Sequence, residues 1–243
     1  RFCARFDFKL ATNNYKAAKE KAHLVIQSNA SRLLDELLKI LRCGACAKTM
    51  EYLETFGVLQ HWIPELSPVK KNTVLLSRLS QLDAERNKGQ DFTNSLLLAI
   101  LFYDVFEKSI SPDIKNPNDI FMASREVFAP IATRMRIPKK DSDKICNIIA
   151  RKIYFENSIK NYTPSFQRRF ISNEHFEESL RFYSLLSLVE SKFSTGVSFW
   201  KSVLEHYKNQ GDKNITQCKD KPAPKKRKSK KKFRDVKATK SDK

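Results

Sequence analysis

Residues 31–66 decide the fold class and read SRLLDELLKILRCGACAKTMEYLETFGVLQHWIPEL. Leucine and isoleucine recur at helical spacing in the first half of this stretch, which makes one wide apolar face. Ser31 is predicted to cap this helix, because its hydroxyl can accept a bond from a first-turn N–H. Gly44 is predicted to end it in the left-handed conformation that residues with a Cβ resist.

A second short helix follows and ends at Gly57, before Pro64. Its apolar positions point toward the same core and are Ala47, Met50, Leu53 and Phe56. Two short helices with apolar faces are not stable alone and must be buried against further helices. The stretch therefore predicts a helical hairpin inside a larger helical protein.

The rest of the chain supplies helical patterns and no convincing strand. Further helices are predicted at 12–27, 70–88, from Asp91 or Thr93 to 108, on both sides of an interruption at Pro130 as far as 136, at 141–157, and around Phe176 and Trp200. The apolar run at 96–103 is predicted to be a central buried helix, since it is too short to span a bilayer. We expect an all-α, multi-helix array of short antiparallel helices, with domains at 1–69 and 70–210.

Positive charge is concentrated at the end of the chain. The formal net charge of the 243 residues is +19, and residues 219–243 hold 13 Lys and Arg against 3 Asp. Such an excess predicts a polyanionic partner, nucleic acid or an anionic membrane surface. Residues 211–243 lack a helical pattern and are predicted to be a disordered Lys-rich tail. The RNA contacts predicted in this tail are Lys225, Lys226, Arg227, Lys228, Lys230, Lys231 and Lys232.

Metal chemistry is not indicated by the cysteine and carboxylate patterns. Cys43 and Cys46 form a lone CxxC without a second pair, so we expect both to pack as small apolar residues. The odd count of five Cys, with no secretion signal, favours reduced thiols and a cytoplasmic protein. Asp141 and Asp143 open a predicted helix, where carboxylates complement the helix dipole. We predict no metal and no catalytic residue in this chain.

Two strings resemble one family in the same order. The opening RFCARFDF and the hairpin residues Ser31, Arg32, Leu33, Glu36, Leu37, Ile40, Leu41 and Gly44 are similar to the bacterial poly(A) polymerases, in the superfamily that includes the CCA-adding tRNA nucleotidyltransferases. The resemblance implies that Arg1 and Arg5 belong to the neck that supports the nucleotide site. It also implies an RNA-binding region, with the catalytic palm encoded upstream of a fragment. The complete enzyme would then add AMP from ATP to RNA 3′ ends, with Mg²⁺ held by the palm.

Folded-region contacts to RNA are predicted on two basic faces. Arg32, Lys39, Arg42 and Lys48 lie on the polar sides of the hairpin, where an ordinary solvated face is the competing interpretation. Arg168 and Arg169 are interleaved with Phe166 and Phe170, whose rings could stack on bases or enter the core.

Three interpretations remain open at this point. The first is the RNA-binding C-terminal part of a poly(A) polymerase, acting in mRNA polyadenylation on single-stranded 3′ ends and completed by a catalytic domain elsewhere. The second is a fragment of a CCA-adding enzyme, which would not need so basic a tail. The third is a non-enzymatic helical adaptor, which would bind RNA weakly once the tail is removed.

Overall fold

The computed structural model describes residues 1–156 and 162–209, and within them all regular structure is helical. The predicted all-α class is confirmed. The α-helices are α1 (Phe2–Phe6), α2 (Thr12–Glu20), α3 (Ala30–Arg42), α4 (Cys46–Thr55), α5 (Val58–Trp62), α6 (Thr73–Asn87), α7 (Asn94–Ser109), α8 (Pro117–Met135), α9 (Lys139–Ala150), α10 (Lys152–Phe155), α11 (Pro164–Ile171), α12 (Phe176–Ser187) and α13 (Ser194–Asn209). Short 3-10 helices cover Ala22–Gln27, Pro64–Leu66, Val69–Lys71 and Ser191–Phe193.

Helix α7 is the centre of the core. Every residue from Ser95 to Tyr103 is buried, as is Phe106, and α3, α6, α8, α9 and α12 pack around it. Each fully buried Leu or Phe side chain contributes roughly 1.5–3 kcal/mol, so this helix anchors the fold. The prediction of a central buried helix is confirmed. No helix in the described part of the chain combines the length and apolarity needed to cross a membrane.

The α3–α4 hairpin forms as the sequence predicts, with one correction at its start. Asn29, and not Ser31, caps α3, because the Asn29 Oδ1 atom accepts from the backbone N–H groups of Ser31 at 2.9 Å and Arg32 at 3.3 Å. Ser31 already lies in the first helical turn. Gly44 and Gly57 both adopt the left-handed conformation, with φ of 71° and 74°, which confirms the two predicted helix ends.

The start of α4 is held by a residue from α6. The carboxylate of Asp83 accepts from the backbone N–H groups of Cys46 at 2.7 Å and Ala47 at 3.0 Å. A negative charge at a helix N-terminus also complements the helix dipole. The Cys46 thiol is fully buried and donates to the carbonyl of Leu79 at 3.4 Å. Burial and then the Asp83 charge raise the pKa of this thiol well above its ordinary value, so Cys46 behaves as a small apolar residue.

Several predicted helix limits are wrong. Helix α8 continues through Pro130, because proline removes only one backbone bond and the buried Phe128 and Ile131 fix the helix on both sides of it. The single helices expected at 12–27, 70–88 and 141–157 are each divided into an α-helix and a shorter helix. Helix α11 was not predicted.

The core is continuous from α3 to α13. The buried apolar residues of these helices, apart from Cys146, belong to one contact cluster, and the division at residue 70 stays a prediction. The predicted tail, 211–243, lies outside the described residues.

Candidate nucleic-acid interface

The first helix folds back onto the hairpin. Asp7 ends α1 in the left-handed conformation, with φ of 58°, and the chain changes direction at this residue. Ala4 is buried where α1 packs against α4. The Asp7 carboxylate accepts from the Lys48 ammonium at 2.6 Å, and this hydrogen bond lowers the pKa of the carboxyl from its ordinary value. The opening string of the chain is therefore placed across the surface of α3 and α4.

This arrangement brings four of the predicted cations together. Arg1, Arg5, Lys39 and Arg42 line one cavity of about 310 Å³, with Phe2 and Cys43. We call this surface the cationic groove. Two of its cations come from the α1 segment and two from the last turns of α3, so neither segment makes it alone.

The charge of the cationic groove is partly compensated. Glu36 lies one turn before Lys39 and pairs with Lys39 at 2.8 Å and with Arg1 at 3.4 Å. The hydrogen bond from Lys39 holds the pKa of Glu36 below its ordinary value, against a smaller opposing effect of burial. Four cations and one carboxylate leave a net charge of +3. The groove therefore keeps a surplus that favours an anionic ligand.

One cation of the groove is fixed by the core. Arg42 donates to the side-chain carbonyl of Asn94, at the start of α7. The Arg42 backbone carbonyl accepts from the Arg86 guanidinium at 3.4 Å. Arg42 is thus pre-positioned, while Arg5 and Lys39 are exposed to solvent.

Exposed aromatic rings adjoin the groove. The exposed fractions of Phe2, Phe6 and Phe8 are 58%, 51% and 60%. The Phe2 and Phe6 rings are stacked with centroids 6.3 Å apart, and the Phe6 and Phe8 centroids are 5.5 Å apart. The guanidinium of Arg1 lies 5.0 Å from the Phe2 centroid, and that of Arg5 lies 5.3 Å from the Phe6 centroid. Rings beside cations are the elements with which proteins bind single-stranded nucleic acid.

Phe2, Phe6 and Phe8 were not predicted as binding candidates. The opening string was predicted only as part of a neck. The available signal was the i, i+4 spacing of Arg1 with Arg5 and of Phe2 with Phe6, which places like residues on the same helix face.

Arg32 and Lys48 lie beside the groove and do not line it. Arg32 is two helical turns before Lys39 on the same polar face, roughly 10 Å along the helix axis. Lys48 is engaged with Asp7. Their predicted contacts to RNA stay predictions.

The predicted aromatic and basic cluster at α11 has a different character. Phe170 is buried, with its ring centroid 4.5 Å from that of Trp200, and Phe166 stacks on Tyr162 at 5.1 Å. Of the two alternatives for Phe170, entry into the core is the one observed. The guanidinium of Arg168 lies 5.3 Å from the Tyr207 centroid, and that of Arg169 lies 5.6 Å from the Phe166 centroid. Neither arginine lines the cationic groove.

The seven predicted tail contacts, from Lys225 to Lys232, lie outside the described residues. Within residues 1–156 and 162–209, no group of three or more His, Cys, Asp or Glu side chains is arranged to hold a metal ion. Asp141 lies in the first turn of α9 and accepts from the Ser95 hydroxyl at 2.9 Å.

A comparison with protein families matches residues 7–70 to the family described as the probable RNA and SrmB-binding site of polymerase A. The match covers α2 to α5 and includes Lys39, Arg42 and Lys48. It supports an RNA-binding region of the polymerase A kind in this part of the chain. No curated protein matches the chain.

Proposed function

We propose that the cationic groove binds single-stranded RNA by its phosphate backbone. The observation that carries this proposal is the convergence of Arg1, Arg5, Lys39 and Arg42 in one cavity beside exposed Phe rings. The polyanionic backbone meets the surplus charge, and the rings offer faces on which bases can stack. The polymerase A match over 7–70 supports RNA as the partner.

We propose in addition that this region presents RNA 3′ ends to a catalytic domain outside this chain. That domain would add AMP from ATP, with Mg²⁺ at its own site, as in mRNA polyadenylation. The support is the match of residues 7–70 and the placement of the opening Arg1-to-Phe8 string at the edge of the groove. The Lys-rich tail would raise the rate of encounter with RNA in a salt-dependent way.

The test is equilibrium binding of the full chain to a fluorescent single-stranded RNA over a series of salt concentrations. The Arg5→Ala/Lys39→Ala variant removes two exposed cations of the groove. Each phosphate contact contributes about 0.7 to the slope of log affinity against log salt. The slope should therefore be shallower by about 1.4, and binding at low salt should be weaker.

The matched control is Lys139→Ala/Lys140→Ala, which removes the same charge from exposed positions at the start of α9. This control should keep most of the slope and affinity. Equal losses in the two double variants would mean that net charge alone attracts RNA, and the groove would then have no special role.

A further inference from the structure

A second cavity, of about 430 Å³, lies where α8, α9, α10 and α11 meet. Three partly exposed rings line it: Phe121 from α8, Tyr154 from α10 and Phe166 from α11. The volume lies within the roughly 300–1,000 Å³ of small-molecule sites. We call this site the Arg169 cavity, after the exposed arginine at its edge.

The Arg169 cavity differs in charge from two other cavities in the described part of the chain. Arg151 and Arg169 line it, and no Asp or Glu does. By contrast, the cavity beside Tyr103 has Glu107 and Glu156 in its walls, and the cavity beside Arg78 has four carboxylates. A flat ligand that carries a negative charge therefore fits the Arg169 cavity best of the three.

The polar groups of this cavity are suited to the edge of a nucleobase. The side chain of Asn118 makes no hydrogen bond within the described residues. The side-chain carbonyl of Asn173 is already used, since it accepts from Arg151 at 2.6 Å and from the His175 N–H at 3.0 Å. Its amide NH₂ group is left to donate. An amide offers a donor and an acceptor together, which base recognition requires.

One buried donor in the cavity wall lacks a partner. The Arg151 Nε–H is buried and makes no hydrogen bond within the described part of the chain. The other nitrogens of the same guanidinium hold Asn173 and the Asn147 backbone carbonyl at 2.6 Å each. A buried donor without a hydrogen-bond partner costs about 1–3 kcal/mol of stability. The bonds that the guanidinium does make to Asn173 and Asn147 hold Arg151 in place in the cavity wall.

We propose that the Arg169 cavity binds one nucleoside monophosphate group. The base lies against the rings of Phe121, Tyr154 and Phe166, its edge bonds Asn118 and Asn173, and the phosphate is held by Arg169. When this group is a residue of RNA, it gives the chain a second contact with the same strand, and the inference then rests on the proposed function. When it is a free nucleotide, the cavity acts independently of the groove.

The experiment is photo-crosslinking of the full chain to single-stranded RNA that carries 4-thiouridine or 8-azidoadenosine, with the crosslinked peptides identified by mass spectrometry. Crosslinks are expected in peptides that contain Tyr154 or Phe166. The Asn118→Ala/Arg169→Ala variant should lose them and should keep crosslinks near Phe2 and Phe6. Both substituted side chains are exposed, so the fold should persist, and circular dichroism checks this.

The matched control is Ser198→Ala/Lys201→Ala. It removes one neutral polar group and one cation from exposed positions of α13 that do not line the cavity. This variant should retain the cavity crosslinks. Equal loss in the control would overturn the assignment of the site.

A parallel titration with AMP and CMP separates the two sources of the nucleotide. If RNA forms crosslinks in the cavity, the bound group is a residue of RNA. If RNA forms none there, but AMP or CMP binds to the parent and not to the Asn118→Ala/Arg169→Ala variant, the bound group is a free nucleotide. Absence of both overturns this inference. Crosslinks confined to the groove leave the proposed function standing, and crosslinks confined to the cavity overturn the proposed function and not this inference.

Discussion

Replacing Glu36 with Gln is expected to strengthen RNA binding. The Glu36 carboxylate pairs with Arg1 at 3.4 Å and with Lys39 at 2.8 Å, so RNA phosphates must compete with it for two cations of the groove. An exposed ion pair is worth about 0.2–1 kcal/mol. Releasing both cations therefore gives roughly 0.4–2 kcal/mol of binding free energy, which is about 2- to 30-fold in affinity.

The assay is fluorescence anisotropy of a labelled single-stranded RNA with the full chain at low salt and at increasing salt. One or two further phosphate contacts should steepen the slope of log affinity against log salt by about 0.7–1.4. The Glu36 side chain is 49% exposed, so losing its two ion pairs should lower the free energy of unfolding of Glu36→Gln by no more than the same roughly 0.4–2 kcal/mol, and the variant should remain folded in the assay.

The matched control is Glu126→Gln, which makes the same change in net charge at an exposed position of α8 outside the groove. Its RNA affinity should rise much less. If Glu36→Gln bound RNA no better than Glu126→Gln, the reasoning that RNA lies in the groove would be refuted. A weaker affinity of Glu36→Gln than of the parent would refute it as well.

Three further predictions concern the helical core. Arg78→Met should lower the free energy of unfolding in urea by up to about 3–5 kcal/mol, because Arg78 is 1% exposed and its removal leaves the largely buried Asp104 and Glu190 carboxylates with only Asn72 and Lys192 as partners among the described residues. Burial raises the pKa of Glu107, but the hydrogen bond and charge of Lys192, with that of Lys152, outweigh it, so its pKa lies below the ordinary 4.5. In acid the unfolded state therefore binds more protons than the folded state, so the free energy of unfolding falls as the pH drops through 4.5 and below. Glu107→Gln should make this fall smaller, as measured by urea titrations at several acidic pH values. Gly196→Ala should cost about 1–3 kcal/mol in the same assay, because its Cβ would lie 2.4 Å from a backbone carbonyl oxygen of α10.

The Arg78→Met and Gly196→Ala predictions each have a matched control in the same chain. Lys88→Met breaks an exposed pair with Glu85 and should change stability by less than about 0.5 kcal/mol. Ser198→Ala, at an exposed position of the same helix as Gly196, should be similarly neutral. The ion-pair argument would be wrong if Arg78→Met were as mild as Lys88→Met. An unchanged acid dependence in Glu107→Gln, or a neutral Gly196→Ala, would contradict the other two.

The residues of the cationic groove were predicted only in part. Lys39 and Arg42 were predicted from the polar face of one helix. Arg1 and Arg5 were predicted from a family resemblance, and nothing in the sequence indicated that the two pairs lie in the same groove. The exposed Phe2, Phe6 and Phe8 were missed, because an apolar ring in a sequence is most simply expected in a core. For Phe170 the sequence left base stacking and burial in the core both open, and the ring is buried. Whether a ring is buried depends on which other helices pack against it, and the residues next to it in the sequence do not show which helices these are.

Four features could be predicted from local sequence patterns: the helical class, the buried α7, the left-handed helix ends at Gly44 and Gly57, and the basic excess. These features follow from periodicity, from backbone conformations open to one residue type, and from counting charges. Which charged side chains come together depends on the tertiary packing. Asp83 bonds the start of α4 although it lies 37 residues further along the chain. The packing of α1 on α4, with the ion pair between Asp7 and Lys48, places Arg1 and Arg5 beside Lys39 and Arg42. The Arg169 cavity likewise needs several helices at once. Contacts between distant segments depend on how whole helices pack, so no local pattern could have assembled either site.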